Sequence, residues 1–240
     1  MRYLLSLLVF FTASLSNGQD VKENLKVLEP RNFWENELKP TIVNSFDTGG
    51  QMILLSGALS VAAAKQYDRT IYLHNLREDD KWMDSNVADM GGYLGSGGPG
   101  IAIAVLQLAL DPINGVAHSK ALMLTAATHI TTAFIVNRER PSGRDRLSFP
   151  SGHSSSAFAT ATSLAYAYGY KAGIPAYLAA TFIGVSRVNE NIHWASDVVA
   201  GAVLGIYWGR AAALNTGKSF MTVMPILDGE TKGLSFTMEF

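Results

Sequence analysis

The residues best suited to chemistry fall in three short segments. The first, FPSGHSSSAFA at 149–159, sets His153 behind a glycine where a run of small residues begins a helix. The first turn of a helix leaves backbone N–H groups unpaired and carries the positive end of the helix dipole, so it attracts anions. Gly152 lets a ligand approach the backbone, and a histidine beside such a nest can hand a proton to a bound phosphate ester. Taken alone, the stretch is explained more commonly by an N-cap, Ser151 or Ser154, with a surface histidine next to it. The second segment, SRVNENIHWASD at 186–197, places Asp197 four residues after His193. If the chain is helical beyond Asn191, both side chains lie on one face, one turn apart. A carboxylate there can hold an imidazole in one tautomer and stabilise its cationic or phosphorylated form. A structural pair or half of a metal site would read the same, but no further ligands follow with metal-site spacing. The third, NRERPSGRDR at 137–146, packs four arginines into ten positions. Pro141 disfavours helix in the residue before it, so Arg140 is expected near a helix end; alone, the segment is equally a solvated basic loop.

Together the segments supply a histidine that can attack, an aspartate to orient it and a second histidine to protonate a leaving group. Arginines and a glycine-lined helix start can hold an oxyanion. Those are the parts of metal-free phosphoryl transfer through a phosphohistidine, so neither a metal nor a cofactor is expected.

The combined pattern resembles the type 2 phosphatidic acid phosphatase superfamily, which also includes bacterial non-specific acid phosphatases and vanadium haloperoxidases. Its motifs run Lys-x6-Arg-Pro, then Pro-Ser-Gly-His, then Ser-Arg-x5-His-x3-Asp. This sequence has Arg140-Pro141, then Pro150-Ser151-Gly152-His153, then Ser186-Arg187 followed by His193 and Asp197, and the resemblance covers about residues 90–210. It implies an all-α helical bundle of the acid phosphatase and vanadium haloperoxidase type, with the motifs meeting at one end. It also implies that His193 is the nucleophile, Asp197 its partner and His153 the general acid. Arg140, Arg187 and the backbone around Ser151 and Gly152 would bind phosphate.

One position departs from the pattern: the lysine is expected at 133, where this chain has Ala133. Seven residues is nearly two helical turns, so on a continuous helix position 133 faces the same way as Arg140. Arg138, two residues from Arg140, points away on such a helix. Arg144 or Arg146, in the loop, are the candidates to replace the missing charge. His129, one turn further back, reads as a core histidine too distant to take part.

The elements that must position these residues are legible as helices. Met52 to Lys65 forms a first firm helix, and others are predicted at about 100–110, 119–138, 153–168, 174–187 and 194–213. MGGYLGSGGPG lacks the Gly-Lys-Ser/Thr of a phosphate loop and reads as a flexible turn or a close helix entry; TGKS at 216–219 fails because Ala212 stands where glycine is needed. After Thr216 the pattern changes to alternation in LSFTMEF, with FMTVMPIL before DGETKG as its partner, which predicts a short C-terminal β-hairpin over 217–240. The predicted helical domain is 19–216.

Residues 1–18 have the parts of a cleavable signal peptide: Arg2, an apolar run from Leu4 to Ala13, and Ser16 with Gly18. The chain has no cysteine and a net charge of −1, which excludes a disulfide framework and gives no sign of a nucleic-acid partner. The longest apolar run, Ala121 to Val136, is shorter than the ~20 residues of a bilayer span. The expectation is therefore a protein exported to the periplasm, soluble or peripherally membrane-associated, acting on a small-molecule or lipid phosphate. The alternatives are a phosphate- or lipid-binding protein weakened by Ala133 and a vanadate-dependent haloperoxidase.

Overall fold

A computed structural model describes residues 33–215, 222–228 and 231–237; the expected signal peptide lies outside the described residues. The helices are α1 (Lys39–Asn44), α2 (Thr48–Lys65), α3 (Asp68–His74), α4 (Ser85–Leu94), α5 (Gly98–Leu110), α6 (Pro112–Val136), α7 (Gly152–Tyr168), α8 (Tyr170–Asn189) and α9 (Ala195–Leu214). The fold is all-α. Two strands, β1 (Thr222–Asp228) and β2 (Thr231–Thr237), pair antiparallel from Thr222 opposite Thr237 to Asp228 opposite Thr231.

The long elements alternate in direction. α6 and α8 finish, and α7 and α9 begin, at one end of the bundle, where Arg138 bonds Asp197 and Ser151 N–H bonds the Asp197 carbonyl. α2 runs toward that end too, since Asp68 just beyond it bonds Arg138 and Ser196. The α4–α5 run starts there, with Ser85 against Glu190. Connections that bring all three motifs together are therefore short loops at one end of an up-and-down bundle.

α7 packs chiefly on α9 and α8, and α9 also on α6 and α2. Gly201, Gly205 and Gly209 let α9 touch α7 backbone to backbone. A Cβ at these positions would lie 2.4 Å from the Ser151 carbonyl oxygen, 2.4 Å from the Ser155 carbonyl oxygen and 2.6 Å from Thr162 Cβ. That contact fixes the starts of α7 and α9, and so His153 and Asp197, relative to each other. Toward α2, a core of Leu124, Tyr207, Trp208 and Ala211 forms, with Tyr207 Oη donating to Ser45 Oγ at 2.8 Å and Trp208 Nε1 to Thr128 Oγ1 at 2.9 Å.

Two expectations change. The glycine-rich piece is no flexible turn at its start: Gly91 and Gly92 lie inside α4, where a Cβ would collide with Ser186 Oγ at 2.2 Å and Arg187 Nη1 at 2.6 Å. The apolar segments are also longer than a count of uninterrupted apolar residues indicates. Ser85–Leu110, Pro112–Val136 and Ala195–Leu214 are long and apolar enough to cross a membrane. A helix of 25 residues, as α6 is, extends roughly 37 Å against a hydrocarbon core of ~30 Å. The polar residues that precede the apolar run of α6 turn inward. His118 bonds Gln107 at 2.7 Å and Thr160 at 3.1 Å, and buried Lys120 donates to Glu37 at 2.5 Å. Outward-facing Ile101, Leu106, Leu110, Phe134, Ile135 and Leu178 are exposed.

Candidate active site

His193 lies in the turn between α8 and α9, 3% exposed, with both ring nitrogens engaged. Arg140 Nη1 donates to Nε2 at 2.9 Å, and Nδ1 lies 2.7 Å from the Ser148 carbonyl oxygen. A guanidinium has no acceptor, so Nε2 holds its lone pair and the ring proton sits on Nδ1, donated to Ser148. Burial holds His193 below the ordinary histidine value of 6.5; Asp197 opposes this and Arg140 adds to it. The ring is thus kept neutral, with the lone pair on Nε2.

The His193–Asp197 relation differs from a simple helical pair. α9 starts only at Ala195, so His193 precedes the helix, and its Nδ1 is 3.9 Å from Asp197 Oδ2. Asp197 instead organises the surroundings. Its Oδ2 accepts from Ser148 Oγ at 2.5 Å and from the Trp194 backbone N–H at 3.0 Å, while Oδ1 accepts from Arg138 Nη1 at 2.6 Å. Arg138 Nη2 reaches Asp68 at 2.8 Å, and Asp68 also accepts from Ser196. Ser148, whose carbonyl oxygen accepts from His193 Nδ1, carried no signal in the sequence beyond standing near the Pro-Ser-Gly-His motif.

Arg140 is held on every side. Its Nε donates to Asp145 at 2.7 Å, Nη1 also to the Ile192 carbonyl oxygen at 3.1 Å, and Nη2 to the Leu147 carbonyl oxygen at 3.1 Å. Ser151 caps α7 by accepting the Ser154 N–H, leaving Gly152 and His153 in the first turn. The His153 ring centroid is 6.4 Å from that of His193. Burial, then the positive charges of Arg187, His193 and Arg140, push His153 down to about 4. Arg187 is buried, donates to the Ala88 carbonyl oxygen and bonds Ser186 Oγ at 3.1 Å.

These groups border a cavity of about 410 Å³ lined by Arg140, Gly152, His153, Ser156, His193 and His129. The presence of His129 corrects its reading as a remote core residue. Its ring stands directly over Gly152, where a Cβ would meet Cε1 at 2.8 Å and Nε2 at 2.9 Å. The helix that was to carry position 133 in line with Arg140 ends at Val136, and Asn137 has a φ of 48°. Beyond that break Arg138 turns to Asp197 rather than away from the site. Ala133 is buried and outside the cavity lining. Neither loop arginine lines the cavity. Arg144 is exposed beside Asp145, and Arg146 is exposed and paired with Glu139 at 3.5 Å.

Residues 123–220 match the PAP2 superfamily. A stretch of 76 residues, 30% of this chain and 17% of the relative, is 45% identical to the lipid A 1-phosphatase of Porphyromonas gingivalis; the chain therefore matches only a small part of that protein. The crystal structure of Aquifex aeolicus LpxE superposes with a TM-score of 0.50 at 25% identity, covering 53% of this chain and 84% of that one. With the motif residues gathered at one end of a similar helical scaffold, residues 123–220 of this chain are similar to the PAP2 superfamily.

Proposed function

We propose that this chain is a membrane-associated, metal-independent phosphatase that hydrolyses lipid phosphates through a phosphohistidine at His193. The observation that carries the reading is the lone pair of His193 Nε2, held toward a cavity that also contains His153 and the start of α7. Nε2 attacks phosphorus, the bond to the leaving oxygen breaks, and protonated His153 gives that oxygen its proton. Water then attacks the phosphohistidine; His153 takes a proton from it, and phosphate leaves with Nε2 neutral again. Arg140 Nη1, resting on Nε2 in the free protein, moves to a phosphoryl oxygen as the new bond forms. Arg140, the backbone N–H groups of Gly152 and His153, and the α7 dipole stabilise the equatorial oxygens, with Arg187 adding positive potential nearby.

A lipid substrate is supported by three membrane-length apolar stretches and by a second, apolar cavity of about 200 Å³ that shares Gly97 and Ser156 with the first. Its walls include Leu94, Ile103, Leu164 and Ile183, and the matched relative is a lipid phosphatase. The site sits at one end of the helices, at the membrane surface. The test is phosphate release by the detergent-purified full chain from lipid A and phosphatidic acid, compared with p-nitrophenyl phosphate, with acid-labile phosphoenzyme trapped on rapid quenching. Turnover with lipid phosphate preferred is expected. Phosphate release without an acid-labile intermediate overturns the mechanism, and no release overturns the activity.

A further inference from the structure

We infer that His129 is a direct phosphate ligand, supplying from one turn earlier on α6 the contact expected of a lysine at position 133. The inference rests on the phosphoryl-transfer reading above and names a residue for that pocket that the motifs do not include. Ala133 has no group to donate and does not line the cavity, and α6 ends three residues later. His129 does line it, together with Arg140, His153 and His193. Its ring covers Gly152, the first residue of α7, where the helix presents unpaired N–H groups to an anion. Neither ring nitrogen has a hydrogen-bond partner among the described residues, so an N–H there is available to a non-bridging phosphoryl oxygen. The four other histidines are placed otherwise: His74 lies against Asn75, His118 is spent on Gln107 and Thr160, His193 on Ser148 and Arg140, and His153, in the first turn of α7, is the acid of the proposed reaction. The same packing gives Gly152 a second purpose, because any side chain there would push the imidazole away.

The experiment uses the detergent-purified full chain and two variants. His129→Phe keeps an aromatic ring over Gly152 without a donor, and His129→Gln keeps a donor close to the Nε2 position. Binding of inorganic phosphate and of orthovanadate is measured by calorimetry, and kcat/KM is measured where turnover is present. For His129→Phe, affinity for both anions and kcat/KM are expected to fall about tenfold or more, the worth of one charge-assisted hydrogen bond. For His129→Gln, most of both is expected to remain. Wild-type affinity retained by a folded His129→Phe overturns the inference, and so does an equal loss in His129→Gln with melting behaviour unchanged. If the wild-type chain binds the anions but turns nothing over, the activity reading fails while the binding comparison still decides the ligand. If the wild-type chain binds neither anion, the inference fails as well.

Discussion

On one wall of the cavity, His193 has both ring nitrogens engaged and sits in a mesh of Ser148, Asp197, Arg138, Asp68 and Ser196. On the other, His153 and His129 have no hydrogen-bond partner among the described residues. The first wall is rigid because every polar group in it, down to the fully buried Asp197, is paired. The second leaves donors open at the start of a helix. A nucleophile benefits from being fixed in one tautomer at one position, whereas groups that meet a charged substrate must be unpaired before it arrives. In the proposed reaction, attack falls to the first wall and substrate contact and proton delivery to the second.

The largest test of this division is His193→Ala. Turnover is expected to fall by about a thousandfold or more, with helical circular dichroism unchanged; retained turnover removes the nucleophile from the first wall. His153→Ala comes next. A general acid contributes about a hundred- to ten-thousandfold, and the loss should be larger for an alkyl phosphate than for p-nitrophenyl phosphate, whose leaving group needs no proton. Equal losses on the two substrates would place His153 in binding rather than proton transfer.

The pH profile probes both walls at once. Attack needs neutral His193 and departure needs protonated His153. Both histidines lie below the ordinary value, His153 at about 4. The product of the two required forms is therefore largest on the acid side of 6.5: the rate falls at lower pH as His193 protonates, and at higher pH as His153 loses its proton. A bell-shaped kcat/KM with an acidic optimum is expected between about pH 4 and 9; an optimum above neutrality would mean that the two histidines do not hold these roles.

A smaller effect separates orientation from scaffolding. Asp197→Asn leaves the Arg138 charge short of a partner, so a stability loss of about 3 kcal/mol by denaturant unfolding is expected with a decrease in rate. A decrease in rate at unchanged stability would make Asp197 a partner of His193 alone. The smallest effect belongs to the loop. Arg144→Ala and Arg146→Ala should change kcat/KM by less than about twofold, as for exposed residues away from any packed feature. A severe loss at either would place that arginine in the pocket and weaken the case for His129.

By itself, the sequence determined the family resemblance, the main helices and the residue types of the candidate site. Those depend on local patterns: apolar runs, a proline after Arg140, small residues after His153, and motif spacings that fix residue types whatever their partners. The tertiary structure decided what each group touches. Position 133 was placed by continuing α6 through Arg140, but Asn137 breaks the helix, so a distance counted along the helix no longer measured a distance in space. His193 and Asp197 were paired by their spacing of four, yet α9 begins between them and a carbonyl from Ser148, 45 residues away in sequence, takes the contact. The inward-turned His118 and Lys120 hid the length of α6 because their partners lie on other segments. His129 joined the site only once Gly152 came to rest beneath it. Short-range geometry is written in the order of the residues; contacts between distant segments form only when the helices pack, and in this protein such contacts decide which ring nitrogen keeps its lone pair and which histidine faces the cavity.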